Sequence, residues 1–321
     1  NLVANMMQVR ELIVDILDGD REVMIAPLPL YHIYAFTVSL VMSDMGHEMV
    51  LIPNPRDIPG FVKELSKHKF SSFAGLNTLF VALCNNKEFN ALDFSHLKHT
   101  ISGGMALTEA AASTWQNVTG CQIQEAYGLT ETSPAVSFNP YRDIRIGTIG
   151  KVVTGTQVKV ISEDGTDLGF DQEGELCVKG PQVMAGYWQR PEATAQVLDA
   201  DGWFKTGDVA ILAEDGFIRL VDRIKDMINV SGFNVYPNEI DDIASQHSGI
   251  LECAAVGIPN SVSGETVKLF VVKSDSNLTA DDVISHCREH LTAYKVPKEV
   301  EFRDDLPKTN VGKILRRALR D

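Results

Sequence analysis

The chain has no CxxC pair, no long apolar run and no basic excess, and each absence removes a class of protein. Its five cysteines (Cys84, Cys121, Cys177, Cys253 and Cys287) are odd in number and scattered. That usage suits free thiols in a reducing compartment rather than a disulfide framework. The longest strongly apolar run, residues 35–42, is far shorter than the roughly 20 residues that cross a bilayer. No charged leader precedes an apolar block at the N-terminus, so no secretory signal is read and a cytoplasmic location is expected. Acidic residues outnumber basic ones by 43 to 29, a formal net charge of −14. This argues against a broad nucleic-acid surface or an anionic membrane face, and leaves a local nucleotide site open. His286, Cys287 and His290 share a helix face, but without a second ligand pair or a general-base Glu they are assigned no metal.

What is present is enough for a large core: 321 residues, 44% of them hydrophobic, allow two or more domains. There is no initiator Met, and Leu2, Met6, Val9, Ile13 and Ile16 already form one helical stripe. A developed apolar face in the first turn leads us to expect a fragment whose partners lie upstream.

Residues 22–127 alternate short apolar strands (23–28, 49–52, 70–76, 100–103, 122–127) with helices (58–68, 78–84, 108–118). Such spacing predicts parallel β-structure with crossover helices, and such sheets bind ligands beyond the C-terminal ends of their strands. From about 148 to 221 the texture becomes β-rich, with acidic-glycine turns and period-two runs such as 157–161, which predicts an antiparallel sheet or small barrel. Beyond 222–226, helices over 237–247 and 279–291 interleave with strands over 253–258, 268–273 and 300–303. The expected class is therefore α/β. Residues 1–147 form a parallel-sheet αβα subdomain, 148–221 an antiparallel β subdomain, 222–226 a hinge, and 227–321 a small α+β C-terminal domain.

Several short motifs carry chemistry. Tyr127-Gly-Leu-Thr-Glu-Thr132 follows a strand and combines an aromatic ring, a glycine, hydroxyls and a carboxylate; such a turn can stack a base, meet a phosphate and hold a divalent cation. Ser102-Gly-Gly-Met105 ends a strand before a helix, where paired glycines admit a planar ligand and the helix start favours anions; an ordinary tight turn would look the same. Asp208, in Thr206-Gly-Asp208, can accept hydrogen bonds from a ribose diol if the segment is a turn, or cap its own turn. Arg223 and Lys225 stand two apart at the joint, which places both on one side of an extended segment, as surface ion pairs or as readers of ribose and phosphate oxygens. Lys313 lies on a glycine turn, 308–313, ahead of a basic helix expected over 314–320, and can swing into a cleft or stay solvated. His32 follows a strand at its C-terminal end, as a site residue or a satisfied, partly buried histidine.

The order of these motifs resembles that of the adenylate-forming acyl-CoA synthetases, with Val230-Ser-Gly-Phe-Asn234 added. Residues 201–209 running on to 221–225 look like the fatty-acyl-CoA synthetase signature, and 227–239 and 306–321 are similar to bacterial long-chain fatty acyl-CoA ligases. The resemblance covers essentially the whole chain. It implies activation of a fatty carboxylate by ATP and Mg²⁺ to an acyl-adenylate, then thioester formation with coenzyme A. Glu131 would hold Mg²⁺. Tyr127 and Gly128 would face the adenine, with Gly103, Gly104 and Met105 as the opposite wall. Thr130 and Thr132 would offer hydroxyls to the α-phosphate, and Asp208 with Arg223 would take the ribose. Lys313 would bridge carboxylate and phosphate oxygens during adenylation. Lys225 would be the hinge of a mobile C-terminal domain, whose rotation would bring Ser231, Gly232 and Phe233 to the pantetheine channel. His32 would sit near the acyl carboxylate, and the acyl tunnel would be lined by residues 33–37, 75–79 and 102–105. Where some relatives carry a second lysine after the hinge, this chain has Asn229, which receives no role.

The family's Ser/Thr/Gly-rich phosphate loop ending in lysine does not occur in these residues and is expected upstream. Two other readings stay open: an acyl-AMP ligase or carrier-protein-loading adenylation domain, and an inert or merely nucleotide-binding fragment. Peripheral membrane association and a homodimer are further expectations that no basic amphipathic stretch here demonstrates.

Overall fold

The computed structural model describes residues 1–19, 21–310 and 312–320. The chain divides into two compact units, residues 1–107 with 111–220, and residues 108–110 with 221–321.

The first unit runs α1 (Leu2–Ile13), β1 (Val23–Ala26), α2 (Ile33–Asp44), β2 (Glu48–Leu51), α3 (Ile58–Leu65), β3 (Ser72–Gly75), α4 (Asn77–Cys84), β4 (His99–Gly103), α5 (Glu109–Thr119), β5 (Ile123–Gly128), β6 (Ala135–Phe138) and β7 (Lys151–Val152). These strands form a sheet in the order β2-β1-β3-β4-β5-β6-β7. The first five run parallel, and β6 and β7 are antiparallel. Helices cover both faces. On one, Trp115 of α5 packs against Phe73, Phe80 and Phe89 with ring centroids 5.1, 4.8 and 5.5 Å away. On the other, Val9 and Ile13 of α1 and Val41 and Met42 of α2 bury with Met24, Ala74, Ile101 and Phe138.

Helix α2, which contains the apolar run at 35–42, is absent from the sequence-based expectation. It is apolar on nearly every side, so it shows no amphipathic period; only the cap before it, His32, whose Nδ1 accepts from the Tyr34 N–H at 3.3 Å, marks its start.

The second sheet of this unit comprises β8 (Gln157–Ile161), β9 (Glu173–Lys179), β10 (Phe204–Leu212) and β11 (Ile218–Arg223, of which 221–223 are counted with the second unit), in the order β11-β10-β9-β8, with α6 (Pro191–Val197) between β9 and β10. Strand β9 pairs antiparallel with both β8 and β10. Thr206-Gly-Asp208 is not a separate turn, as expected from its glycine, but an interruption within β10. Lys205 pairs with Cys177 and Val209 with Glu175, leaving three residues opposite Leu176, and such a bulge re-aims its side chains.

The second unit contains β12 (Ile228–Val230), β13 (Phe233–Val235), α7 (Pro237–Ser245), β14 (Ile250–Asn260), β15 (Gly264–Lys273), α8 (Ala280–His290) and β16 (Glu299–Arg303). Its sheet runs β13-β12-β15-β14, with β16 parallel to β15. Helices α7 and α8 bury Ile240, Ala244, Val283 and Cys287 with Val267, Leu269 and Val271 of β15. Two expectations fail here. Residues 224–226 form a 3₁₀ turn, so Arg223 and Lys225 do not share a side of an extended segment. The basic helix expected over 314–320 is only a 3₁₀ turn at Arg316–Leu319. Ile314 instead bridges to Lys308 and packs with Leu306, Leu319, Val256 and Phe270, and that burial outweighs the helix propensity of the basic residues.

Candidate active site

Register puts the two motifs of the first sheet side by side. Gly103 pairs with Ala126 across β4 and β5, so β4 gives way to Gly104-Met105 beside Tyr127-Gly128, the last two residues of β5, which pair with Ser137 and Ala135 of β6. Gly103 is buried, Met105 half-buried and Gly104 exposed. Tyr127 is 9% exposed and its hydroxyl donates to Asp208 Oδ2 at 2.5 Å; Asp208 itself is 5% exposed. The bulge that delivers Asp208 is fixed by backbone and side-chain contacts. Thr206 Oγ1 donates to Leu176 O at 2.8 Å and accepts from the Asp208 N–H at 3.1 Å, while Gly207 N–H donates to Glu175 Oε1 at 3.0 Å.

Beyond Tyr127, glycine is required at 128 by close approach. A Cβ there would lie 1.8 Å from the Pro134 carbonyl oxygen, which itself accepts from Leu129 N–H at 3.2 Å and from Thr132 Oγ1 at 2.5 Å. Thr130–Thr132 form a 3₁₀ turn. Its two threonines differ: Thr132 is fully buried with its hydroxyl also within 3.1 Å of Leu129 O and 3.0 Å of Leu129 N, whereas Thr130 is exposed. Glu131 lies between them, half-buried. Its carbonyl accepts from Met184 N–H at 2.8 Å and its Oε1 from the Tyr187 hydroxyl at 2.9 Å. Burial and the Glu131 carboxylate push the Tyr187 phenol above its ordinary value. Among the described residues no group of three or more His, Cys, Asp or Glu gathers to hold a metal, so a cation at Glu131 would draw its other ligands from elsewhere.

The turn after Glu131 is braced by side chains whose importance the sequence does not reveal. Asn5 of α1 donates to Ala135 O and accepts from Ala135 N–H, both at 2.8 Å, replacing a neighbouring strand with an amide. Ser133 Oγ donates to Gln182 O at 2.9 Å and Thr37 Oγ1 to Ser133 O at 3.2 Å. A buried Asn in an otherwise apolar helix stripe was the available signal for Asn5; Tyr187, in Gly186-Tyr-Trp188 before Pro191, offered only an aromatic pair in a loop.

His32 stands six residues beyond the end of β1, at the N-cap of α2, and is half-buried. Its Nδ1 serves as an acceptor for the cap, which in the neutral ring leaves the proton on Nε2. Tyr34, two residues on, is buried and its hydroxyl donates to Ile101 O at 3.1 Å, holding the start of α2 against β4.

The remaining expected residues belong to the second unit. Arg223 and Lys225 are exposed. Ser231 and Gly232, at φ +54° and +85°, connect β12 and β13 in a two-residue hairpin of the kind that needs positive φ at both positions. Asn229, left without a role above, caps that hairpin: its Oδ1 accepts the Gly232 N–H at 2.9 Å. Phe233 is 55% exposed and stacks on Tyr294 with centroids 4.7 Å apart. Lys313 is half-buried on a hairpin stem, where its backbone N–H donates to Thr309 Oγ1 at 3.2 Å and its carbonyl accepts from Thr309 N–H at 2.8 Å.

Residues 1–188 match the AMP-binding enzyme family and residues 239–313 its C-terminal domain. The chain belongs to the AMP-binding enzyme family. It is 55% identical over its whole length to a long-chain-fatty-acid–CoA ligase of Salmonella typhimurium, covering 57% of that protein. It is 39% identical over 99% of its length to one of Bacillus subtilis, again covering 57%. Among solved structures, an anthranilate CoA ligase in complex with anthranoyl-AMP superposes with a TM-score of 0.91 at 28% identity, over 98% of this chain and 63% of that one. ATP-bound MatB from Rhodopseudomonas palustris gives 0.87 at 31%, over 99% and 63%. The chain thus spans a little over half the length of these curated relatives. The α/β class with parallel and antiparallel sheets agrees with the fold read from the sequence. Among the described residues no helix is long and apolar enough to cross a membrane.

Proposed function

We propose that this chain carries the adenylate-binding part of a long-chain-fatty-acid–CoA ligase, which activates a fatty carboxylate with ATP and passes the acyl group to coenzyme A. The observation that carries the reading is the convergence of three segments, the ends of β4 and β5 and the bulge of β10, with Tyr127 bonded to Asp208. The fatty substrate is inferred from the relatives at 54–55% identity.

In this reading Tyr127 and Gly128 face the adenine, with Gly103, Gly104 and Met105 as the opposing wall, and Asp208 takes the ribose hydroxyls with help from Arg223. Thr130, exposed on its turn, offers a hydroxyl to the α-phosphate, while the buried Thr132 shapes the turn. The fit of Glu131 to Mg²⁺ rests on its donor chemistry: one hard carboxylate suits a cation that keeps waters and substrate phosphates as its other ligands. That ion would neutralise phosphate charge. The Tyr187 hydroxyl keeps the Glu131 carboxylate oriented.

The fatty carboxylate attacks the α-phosphorus, the bond to pyrophosphate breaks, and a mixed anhydride with AMP remains. Lys313 supplies positive charge where the carboxylate and phosphate oxygens meet, a contribution on the order of 3 kcal/mol to the transition state. Lys225 acts as hinge, with residues 227–321 as the mobile domain, and rotation there exchanges Lys313 for the Ser231-Gly232-Phe233 hairpin so that coenzyme A thiolate displaces AMP. His32 lies beside the acyl carboxylate. A cytoplasmic setting, homodimerisation, and peripheral contact with membrane lipid, which a lipid-partitioning substrate favours, remain parts of this proposal.

The deciding experiment is pyrophosphate exchange across a panel of fatty acids, using protein of the relatives' full length, followed by acyl transfer to free coenzyme A or to a holo carrier protein. Exchange with long-chain acids and transfer to free coenzyme A are expected; transfer only to the carrier would make it a carrier-loading enzyme. Lys313→Ala should lose about 100-fold in adenylate formation yet still convert supplied acyl-adenylate to thioester. A folded mutant losing both half-reactions equally would remove Lys313 from this role.

A further inference from the structure

Between Lys313 and the joint at 222–226 lies a set of buried polar contacts that the assignments above do not use. Arg316, three residues after Lys313, has only 16% of its side chain exposed. Its Nη1 donates to Asp241 Oδ2 at 2.9 Å and its Nη2 to Asn238 Oδ1 at 2.6 Å, with Ala255 O at 3.4 Å from Nη1. Both partners sit on α7 and are themselves held. Asp241 Oδ1 accepts from Ala255 N–H at 2.6 Å, on β14. Asn238 N–H donates to Asp222 Oδ2 at 2.8 Å, and the other oxygen of Asp222 accepts from Arg223 N–H at 2.7 Å.

The path therefore runs from Lys313 along three backbone steps to Arg316, across to the start of α7, and on to Asp222 and Arg223 at the joint. A second tie lies parallel to it: Arg320 Nη2 donates to Asp226 O at 3.2 Å, and Leu319 between the two arginines is buried with Leu306 and Phe270. The opposite strand of the Lys313 stem is fixed separately, by Lys308 Nζ to Glu252 Oε2 at 2.8 Å.

A planar guanidinium reaching two acceptors on one helix fixes direction as well as distance, which a lysine ammonium does not. Surface basic residues after a catalytic turn would ordinarily be solvated, and Arg317 is. Arg316 is instead buried as an ion pair, an arrangement whose usual return is specificity of geometry rather than stability. A side chain held this way three residues after Lys313, at the start of the 3₁₀ turn Arg316–Leu319, sets where the lysine stem points relative to the joint.

We infer that Arg316 is a positioning residue, which through Asp241 and Asn238 locks the Lys313 stem to the joint segment 222–226 so that movement at the joint is transmitted undamped to Lys313. The inference rests on the adenylation role proposed for Lys313. It predicts that loosening the lock harms the half-reaction that uses Lys313 and spares the other.

The test uses Arg316→Lys, which keeps the charge and loses the fork, and Asn238→Ala, which leaves the Arg316–Asp241 pair in place should the first variant fold poorly. Both are made in protein of the relatives' full length, with and without Lys313→Ala. Adenylate formation should fall on the order of 10- to 100-fold for Arg316→Lys, mostly in kcat, as misplacement of a catalytic group does. Thioester formation from supplied acyl-adenylate should change less than about twofold, and in the Lys313→Ala background neither change should reduce adenylation further. Folded variants with parallel losses in both half-reactions, with unchanged adenylation, or with an undiminished loss in the Lys313→Ala background would overturn the inference. Should Lys313→Ala alone leave adenylation intact, the underlying assignment of Lys313 fails instead, and the single variants show which of the two it is.

Discussion

Gly128→Ala gives the sharpest test of how the site is built. The added methyl would stand 1.8 Å from the Pro134 oxygen and 2.5 Å from its carbon, against an ordinary contact of about 3.5 Å. Relief needs the 128 and 134 segments to part by more than an ångström, and no flexible side-chain end is available to yield, because both neighbours are backbone. The carbonyl being pushed is the acceptor for Leu129 N–H and for Thr132 Oγ1, so parting weakens two hydrogen bonds, each worth about 1 kcal/mol net. Overpacking strain adds roughly 1–3 kcal/mol, and a total destabilisation of about 3–5 kcal/mol follows. The same movement displaces Thr130 and Glu131, which begin two residues later, so loss of ATP affinity should accompany loss of stability. Urea unfolding followed by tyrosine and tryptophan fluorescence, beside ATP titration, measures both. A stability change below about 1 kcal/mol with unaltered ATP binding would show that the 128–134 contact is slack and that the turn is held by other means.

Other perturbations follow from single contacts. Tyr127→Phe removes the donor to Asp208 inside a buried environment and should cost about 1.5–3 kcal/mol of stability, with weakened binding of AMP in calorimetry; equal binding would separate Asp208 from the ribose. Burial lowers the His99 imidazole from 6.5 to about 4, so between those values the unfolded chain binds a proton that the native one refuses. Stability should therefore be intact above about pH 7 and fall as pH drops toward 4, by up to roughly 3 kcal/mol, and His99→Gln should flatten that decline in urea midpoints measured across the range.

The parallel sheet was readable where a strand is a short apolar run, as at Val23–Ala26, and where a helix has a clear cap, as α3 has in Asp57. Where apolar character has no period, the reading stopped: α2 is nearly all apolar and was not recognised. The Tyr127 to Thr132 segment was legible as chemistry, yet its neighbours in sequence could not tell that Thr132 turns inward to the Pro134 carbonyl while Thr130 turns outward. Asp208 could be named, but its delivery by a bulge depends on pairing with β9, a strand some thirty residues away, and such pairings leave no local mark. Arg316 shows the opposite failure. A run of basic residues after a glycine turn reads as an exposed helix, and only burial against α7 reveals that one of them is structural.

These outcomes separate two kinds of residue at the proposed nucleotide site. Tyr127 and Asp208 come from different sheets, and the hydrogen bond between them is the point at which those sheets meet at the proposed nucleotide position. Each is carried there by backbone constraints: Tyr127 by the 128–134 contact, Asp208 by Thr206 and Gly207 against β9. Substitutions that alter the backbone, at Gly128 or Gly207, must therefore lower stability and nucleotide affinity together. Substitutions that alter only exposed groups, such as Thr130→Val, should remove the proposed phosphate contact while leaving the fold as stable as before. If Thr130→Val destabilised the protein as much as Gly128→Ala does, the turn would be held by its outward side chains, and the division between a rigid backbone cradle and the groups it presents would not describe this site.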